Sequence, residues 1–551
     1  MIDAGTILNN RPIGSWRHDQ PPGTGDDAIC NAVSNVTRPV FILKYKLGYA
    51  VSQDGEVLVG HPAGNSGVTD YPLLAWAPRL LPEDLGDPVF KSAHNIRYPY
   101  ICGAMANGIT SVQMVEVAGK AGMLGFFGAA GLSIDKIKEA IHALHLRLKG
   151  IPFGMNLIHS PNDPALEAAT VRLYLENKIR LISASAYLAL TLPLIYYRVK
   201  GMHTDPEGRI ICPNKIIAKV SRVEIARKFL SPPPEKMLAH LVEKGLITHE
   251  EASLGQRIPL AEDLTAEADS GGHTDNRPAV TLLPTMIALR DEVTAQYRYQ
   301  RPPCIGLGGG ISTPYAAAGA FAMGAAYILT GSVNQSCVEA GTSNGVKQLL
   351  AEAQQADVAM APAADMFEIG AKVQVLKRGT MFALRASKLH DLYNRHDRYE
   401  SIDPAQRQML ERDFFKRSFR EEWDHTREYF KNVDPRQILR AEGDPKHKMA
   451  LVFRSYLGQS SMWAINGIPD RRMDYQIWCG PAIGAFNQWV KGSFLEKPEN
   501  RKTVTVAMNL LLGAAVVTRS SWLRHQGIRL PGNGGKFTPM TLLEIDNALN
   551  P

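Results

Sequence analysis

Three consecutive glycines, Gly308-Gly309-Gly310, end the apolar run Pro303–Leu307 and lead through Ile311-Ser312 into Thr313-Pro314, the pattern of a helix start. Glycine lets a chain turn sharply and bring its backbone against a ligand. The helix N-terminus that follows offers unpaired N–H groups to an anion. One unit later, Tyr327-Ile328-Leu329-Thr330-Gly331-Ser332 repeats the plan of strand, glycine and hydroxyl. Two such turns after the last two strands of a barrel commonly build one phosphate site; the competing reading is a pair of ordinary tight turns. The dinucleotide fingerprint GxGxxG fits poorly, because Gly306-Leu307-Gly308-Gly309-Gly310-Ile311 carries isoleucine at its last position.

A second cluster, Glu267-Ala268-Asp269-Ser270-Gly271-Gly272-His273-Thr274-Asp275, follows another apolar run. Gly271 and Gly272 allow His273 to lie close to a flat cofactor. Its imidazole titrates near neutrality, so it can hydrogen-bond a carbonyl or deliver a proton. In a third cluster, Gly103-Ala104-Met105-Ala106-Asn107-Gly108, small residues permit close approach to a ring face, and Asn107 supplies both donor and acceptor. Asn156 and Lys219, the latter followed by Ser221, end further apolar runs. A cation at Lys219 would stabilise a reduced, anionic ring.

Other candidates carry less. His142 and His145 are spaced for a metal, but no carboxylate or third ligand accompanies them, and no metal site is expected. Glu262, Asp263 and Asp269 could act as acids, although no pairing is visible. The six cysteines are scattered without a CxxC, which argues against zinc, a redox dithiol or a disulfide framework and for a reducing, cytoplasmic setting. A net charge of +7 over 551 residues is compatible with a phosphorylated ligand or acidic partner. It lacks the dense basic stripe of a nucleic-acid binder, so no nucleic-acid partner is expected. The N-terminus has no basic-then-apolar leader. The apolar stretch Val504–Val517 is shorter than a membrane span, so a buried helix is expected. That helix could complete a core or meet a second copy of the chain, which leaves a homodimer open.

The elements that must hold these residues alternate. Eight candidate strands, Tyr100–Gly103, Gly122–Phe127, Pro152–Leu157, Arg180–Ser183, Lys215–Val220, Leu264–Ala268, Pro303–Gly308 and Ala325–Thr330, are separated by helical stretches such as Ser133–Lys149 and Pro314–Met323. Strand–helix alternation predicts a parallel sheet with crossover helices, and eight units fit a (β/α)8 barrel. A doubly wound sheet competes on pattern alone. The expected organisation is a strand-containing N-terminal extension over 1–95, with Val40–Lys44 and Glu56–Val59 around the turn Gln53-Asp54-Gly55. A barrel follows over 96–364, interrupted near 190–213 by a β-hairpin starting at Leu194–Lys200 and over 222–261 by helices. A helical lid over 365–500 and a C-terminal helix with a tail over 501–551 complete the chain. In the charged segment Ser401–Arg440, the aromatics Phe414, Phe415, Phe419, Trp423, Tyr429 and Phe430 read as core rather than as a binding surface.

These motifs resemble the superfamily of nitronate monooxygenases and FMN-dependent enoyl reductases. ISASAY at 182–187, IIAKVSR at 216–222, EIGAKVQVLKRGTMFALRASKLHDLY at 368–393 and DYQIWCGPAIGAFNQW at 474–489 look like the PfaD-type enoyl reductases, which act in trans in polyunsaturated fatty acid and polyketide synthases. The resemblance, over roughly residues 40–520, implies a barrel that binds FMN, is reduced by NADPH, and passes hydride to an unsaturated acyl thioester on an acyl carrier protein. It implies His273 as the catalytic histidine. The phosphate turns fall at Gly308, Gly309, Gly310, Gly331 and Ser332, and the ring contacts at Ala104, Met105, Ala106, Asn107 and Asn156. Gly271 and Gly272, immediately before the histidine, count among the cofactor contacts, and Lys219 is assigned to the flavin from its strand position. The basic face at Lys416, Arg417 and Arg420 could dock an acidic carrier protein, against the alternative of a solvated helix face. An oxygen-using nitronate oxidase shares the same barrel motifs.

Overall fold

The computed structural model describes residues 11–60, 70–160 and 163–550; the expected absence of a leader concerns a segment mostly outside them. Eight parallel strands close into a barrel: β1 (Tyr100–Cys102), β2 (Leu124–Phe127), β3 (Gly154–Ile158), β4 (Leu181–Ser185), β5 (Lys215–Val220), β6 (Asp263–Glu267), β7 (Cys304–Gly308) and β8 (Ile328–Thr330), with β8 hydrogen-bonded to β1. The doubly wound alternative is thereby excluded.

Strand alternation divides the barrel's two faces. Ile101, Leu124, Phe126, Leu181, Ile217, Cys304 and Leu329 gather in one interior cluster with Phe90 and Tyr327. Their neighbours Tyr100, Cys102, Met155, Ile182, Ile216, Ala218 and Leu264 pack outward among the helices. The helix Pro88–His94 belongs to the plug at the N-terminal end of the barrel. Phe90 stacks on Tyr327 at 4.0 Å, and His94 Nε2 lies 2.6 Å from Asp263 Oδ2 at the start of β6. Asp263 also accepts from the Cys304 amide at 2.8 Å. Glu262 pairs with Arg198 and Arg301; burial would raise this carboxyl, but the two guanidiniums outweigh it and hold it low. Glu262 and Asp263 are therefore structural anchors far from the barrel mouth, and their reading as acids fails on position.

One expectation needs correction. Leu192–Val199 is a helix, not a hairpin strand: Thr191 caps it by accepting from the Leu194 amide at 3.3 Å, and Pro193 occupies its first turn. The hairpin is only His203–Thr204 against Ile210–Ile211. In the N-terminal sheet, Val40–Tyr45 pairs with Gly48–Ser52, and Glu56–Val59 crosses to pair with Gly14–Arg17. Gln53-Asp54-Gly55 therefore links strands that are not neighbours. Helices Val223–Leu230, Glu235–Glu243 and His249–Gly255 fill the second insertion.

Beyond β8, Val358–Pro362 and Lys372–Leu376 form a small antiparallel sheet with Gly272–His273 of the β6 loop. Helices from Phe382 to Asn466 pack around their own core of Phe382, Leu389, Phe414, Phe415, Phe453 and Tyr456. Phe419 and Trp423 are buried there, Phe430 packs partly against it, and Tyr429 is exposed. The helix Thr503–His525 is apolar and long enough to cross a membrane by composition, but 89% of its most apolar window is buried in the protein. It lies against the helix Pro314–Ala322 that follows β7. Gly513 permits this approach, because a Cβ there would sit 2.5 Å from Pro314 Cγ. Asn509, the polar break in this helix, is satisfied by both the amide and the carbonyl of Met540.

Candidate functional site

The alternation that puts Ile217 inside the barrel also puts Lys219 inside, one turn of the pleat nearer the mouth. Asp263, Thr265 and Glu267 follow the same parity on β6, as do Ser183 and Ser185 on β4, opposite Asn156 on β3. The C-terminal end of the barrel is thus polar, whereas the other end is plugged by apolar groups around the buried His94–Asp263 pair. Lys219 Nζ lies 2.7 Å from Glu267 Oε1, with both side chains mostly buried. Lys219 is therefore presented to any ligand together with its counter-ion. Asn156 is buried, and its Oδ1 accepts from Ser185 Oγ at 3.0 Å.

After β1, the chain folds back on itself. Thr110 Oγ1 donates to Gly103 O and accepts from the Met105 amide at 2.9 Å, and Asn107 adopts φ +56° while its amide donates to Ala130 O. Ala104, Met105, Ala106 and Asn107 are half-buried at the rim, and of these four only Asn107 takes a left-handed backbone conformation.

The two glycine turns stand side by side through β7–β8 pairing. Gly308 ends β7. Gly309 and Gly310 have φ of +88° and +75°, which glycine alone adopts at no cost. A Cβ at Gly309 would strike the Ala268 and Asp269 carbonyls at 2.7 Å, whereas at Gly310 and Gly331 nothing lies within 4 Å. The space beyond the backbone at Gly310 and Gly331 is open, and Ser332 follows at the start of a short helical turn. Ser332 Oγ accepts from the Gly480 amide at 2.9 Å, so its hydroxyl remains able to donate.

The β6 loop carrying Gly271, Gly272 and His273 is tied from two sides. Asp269 Oδ1 accepts from Asn276 Nδ2 at 2.7 Å and from Gln374 Nε2 at 2.8 Å, and Gln374 Nε2 also donates to Ser270 O. Asp269 is a strut of the loop rather than an available acid. Gly271 lies so close to the Cys479 backbone that a Cβ would be 2.6 Å from Cys479 Cα. Beyond the histidine, Asp275 receives Arg222 in a bidentate pair and Ser221 Oγ at 2.5 Å; the Arg222 hydrogen bond is the main reason its carboxyl falls to about 2. His273 itself is half-buried, with Nε2 3.1 Å from Asp365 Oδ2. Burial alone would lower its pKa, but the hydrogen bond and charge of Asp365 outweigh burial and raise it. Asp365, more than half exposed, is lowered in turn: partial desolvation would raise it, but the hydrogen bond and charge of His273 outweigh that.

The mouth therefore brings together His273, Lys219, Asn156 and the two glycine turns. Glu267, Ser185, Gln374 and Asp365 belong to the same arrangement, and the sequence reading does not single them out. Glu267 and Ser185 are accessible through strand parity with Lys219 and Asn156; for Asp365, 92 residues from His273, no local signal exists. His142 and His145 stay apart from the mouth, on a helix where His145 meets Asn177 O, and no metal-binding cluster occurs among the described residues. On the basic face, Lys416 pairs with Asp470 and Arg417 with Glu422, while Arg420 is exposed.

Residues 88–390 match the family described as nitronate monooxygenase, and residues 396–475 the inserted helical domain of [acyl-carrier-protein] S-malonyltransferase. The chain is 46% identical to polyketide biosynthesis protein PksE of Bacillus subtilis, over 79% of this chain and 56% of that one. It is 45% identical to one of the polyunsaturated fatty acid synthase subunits of Thraustochytrium, over 80% of this chain and 30% of that one. It thus spans between about a third and about half of these longer relatives. Among solved structures, the enoyl reductase domain of MlnA, from the macrolactin biosynthesis cluster of Bacillus amyloliquefaciens, superposes with a TM-score of 0.76 at 41% identity, covering 80% of this chain and 98% of that domain.

Proposed function

The chain belongs to the nitronate monooxygenase family, in its PfaD-type branch, and from that premise we propose that it is a trans-acting enoyl reductase. Its substrate would be an α,β-unsaturated acyl thioester on an acyl carrier protein of a polyketide or polyunsaturated fatty acid synthase, and its reductant FMN recharged by NADPH. The observation that carries this reading is the match to the MlnA enoyl reductase domain over 98% of that domain's length. A barrel-only match would favour the oxidase reading equally. The match of residues 396–475 to a helical insertion of an enzyme named for acyl carrier protein supports the carrier-bound form of the substrate.

Bound FMN would supply the hydride for the β-carbon. The backbone at Gly308, Gly309, Gly310 and Gly331, with the Ser332 hydroxyl, would hold its phosphate, and Ala104, Met105, Ala106 and Asn107 would flank the ring. Lys219, balanced by Glu267, would bear on the ring's polar edge without presenting a bare positive charge. His273 would donate to the substrate: either it hydrogen-bonds the thioester carbonyl while water protonates the α-carbon, or it protonates the α-carbon itself and recovers its proton from water. Hydride and proton together saturate the double bond.

The test is anaerobic. The purified protein is reduced with NADPH, and a crotonyl thioester on a carrier protein is then added while the flavin's visible bands are followed. Bleaching by NADPH and recovery with the thioester support the proposal. Recovery with oxygen alone replaces it with the oxidase reading, and failure to load flavin removes the phosphate assignment.

A further inference from the structure

His273 occupies a two-residue strand, and the neighbouring strand, Lys372–Leu376, pairs His273 with Val373. The chain that connects this strand to Val358–Pro362 carries Asp365. The small sheet thus brings a carboxylate from the segment after the barrel onto a barrel-loop histidine, with Asp365 Oδ2 3.1 Å from His273 Nε2. Nδ1 of His273 has no protein partner among the described residues.

We propose that Asp365 is a positioning residue for His273: it anchors the ring through Nε2, keeps the proton on that nitrogen, and leaves Nδ1 as the atom that exchanges a proton with a ligand. A carboxylate that accepts from one imidazole nitrogen fixes the tautomer and favours the doubly protonated ring. The other charged groups that bear on His273 are Glu267 and Lys219, of opposite sign and paired with each other at 2.7 Å. Arg454, from the long helix Pro445–Asn466, bears on Asp365 and is itself bonded to Glu368 at 3.0 Å. Asp365 is therefore the group that decides the charge of His273, and the raised imidazole and lowered carboxyl agree with that geometry. The ring enters turnover as an acid. It loses a proton from Nδ1 when the α-carbon gains one, and water restores it, so the charge on the pair is the same at the start and end of each cycle. This last role rests on the enoyl reductase reading; the ionisation of the pair does not.

The experiment follows the His273 ring by NMR in full-length protein labelled at histidine, with the signal identified by its loss in His273→Ala. Asp365→Asn should lower the His273 midpoint by at least ~0.5 pH unit from a value above the ordinary ~6.5, and Asp365→Glu should restore it. The alkaline limb of kcat/KM for the carrier-bound enoyl thioester should shift down with it in Asp365→Asn. An unchanged NMR midpoint in a folded Asp365→Asn protein overturns the proposal. A shifted midpoint with an unshifted kinetic limb upholds the pairing and sinks the proton-donor reading of His273, which separates the two claims.

Discussion

Gly309 and Gly310 are neighbours with similar backbone angles, φ +88° and +75°, yet alanine should act differently at each. Placing an L-residue in the left-handed region costs about 1–2 kcal/mol at either position. At Gly309 the new methyl would also stand 2.7 Å from the carbonyl groups of Ala268 and Asp269. Those are backbone atoms and cannot swing aside, so the overlap adds about 1–3 kcal/mol. At Gly310 nothing lies within 4 Å. In flavin-free protein, Gly309→Ala should therefore lose about 2–5 kcal/mol of stability, and Gly310→Ala only about 1–2. For FMN, the Gly310 methyl would fill the open space assigned to phosphate. The expected loss is at least about tenfold in affinity, or ~1.4 kcal/mol, in a protein that is otherwise nearly intact. Denaturant unfolding of the flavin-free variants and a fluorescence titration with FMN measure the two effects separately. Equal stabilities would refute the steric argument at Gly309, and an unchanged Kd in Gly310→Ala would refute the phosphate's placement.

Gly271→Ala would drive a methyl against the Cys479 backbone, 2.6 Å from its Cα; it should displace the His273 loop and lower kcat far more than FMN affinity, which steady-state kinetics beside a flavin titration would reveal. Asp263→Leu would leave His94, Arg301 and the Cys304 amide without their buried acceptor. This should cost about 3–5 kcal/mol in urea unfolding, and a change in FMN affinity would contradict the assignment of this network to the far end of the barrel. Asp275, lowered to about 2 chiefly by its Arg222 hydrogen bond, contributes stability above its unfolded value near ~3.9 that is lost as pH falls through about 2. The pair is partly exposed, so screening reduces its worth to about 1 kcal/mol. The stability gap between the parent and Asp275→Asn should be full at neutral pH and vanish on acidification; a gap that persists at low pH would sink the ion-pair account.

The barrel is legible in the sequence because its strands are short apolar runs punctuated by glycine and proline, a pattern that depends only on burial on both faces. Leu192–Val199 misleads for a related reason. Its residues LPLIYYRV suit a strand by propensity, and only the Thr191 cap and Pro193 mark a helix. At the candidate site, motifs within one loop can be read from sequence because the chain itself places Gly271, Gly272 and His273 together. Asp365 and Gln374 cannot, since their approach depends on a three-stranded sheet assembled from segments whose only link is tertiary. Glu267 lies between these cases: it is visible in the motif, and its inward direction follows once β5 and β6 are known to pair in register, Lys219 beside Thr265.

Gly480 touches both halves of the mouth: its amide reaches Ser332 Oγ, and a Cβ on it would press on the Ser270-Gly271 backbone at 3.1 Å. This wedge emerges from the ribosome well after β8 and the last glycine turn have been synthesised. Until that segment is made, the His273 loop and the Ser332 turn lack the contact that sets their spacing. Maturation of the mouth is therefore a late event in biosynthesis. Nascent chains stalled before Gly480 should leave the His273 loop open to protease, and those stalled far enough beyond it for the helix Thr503–His525 to pack should protect the loop.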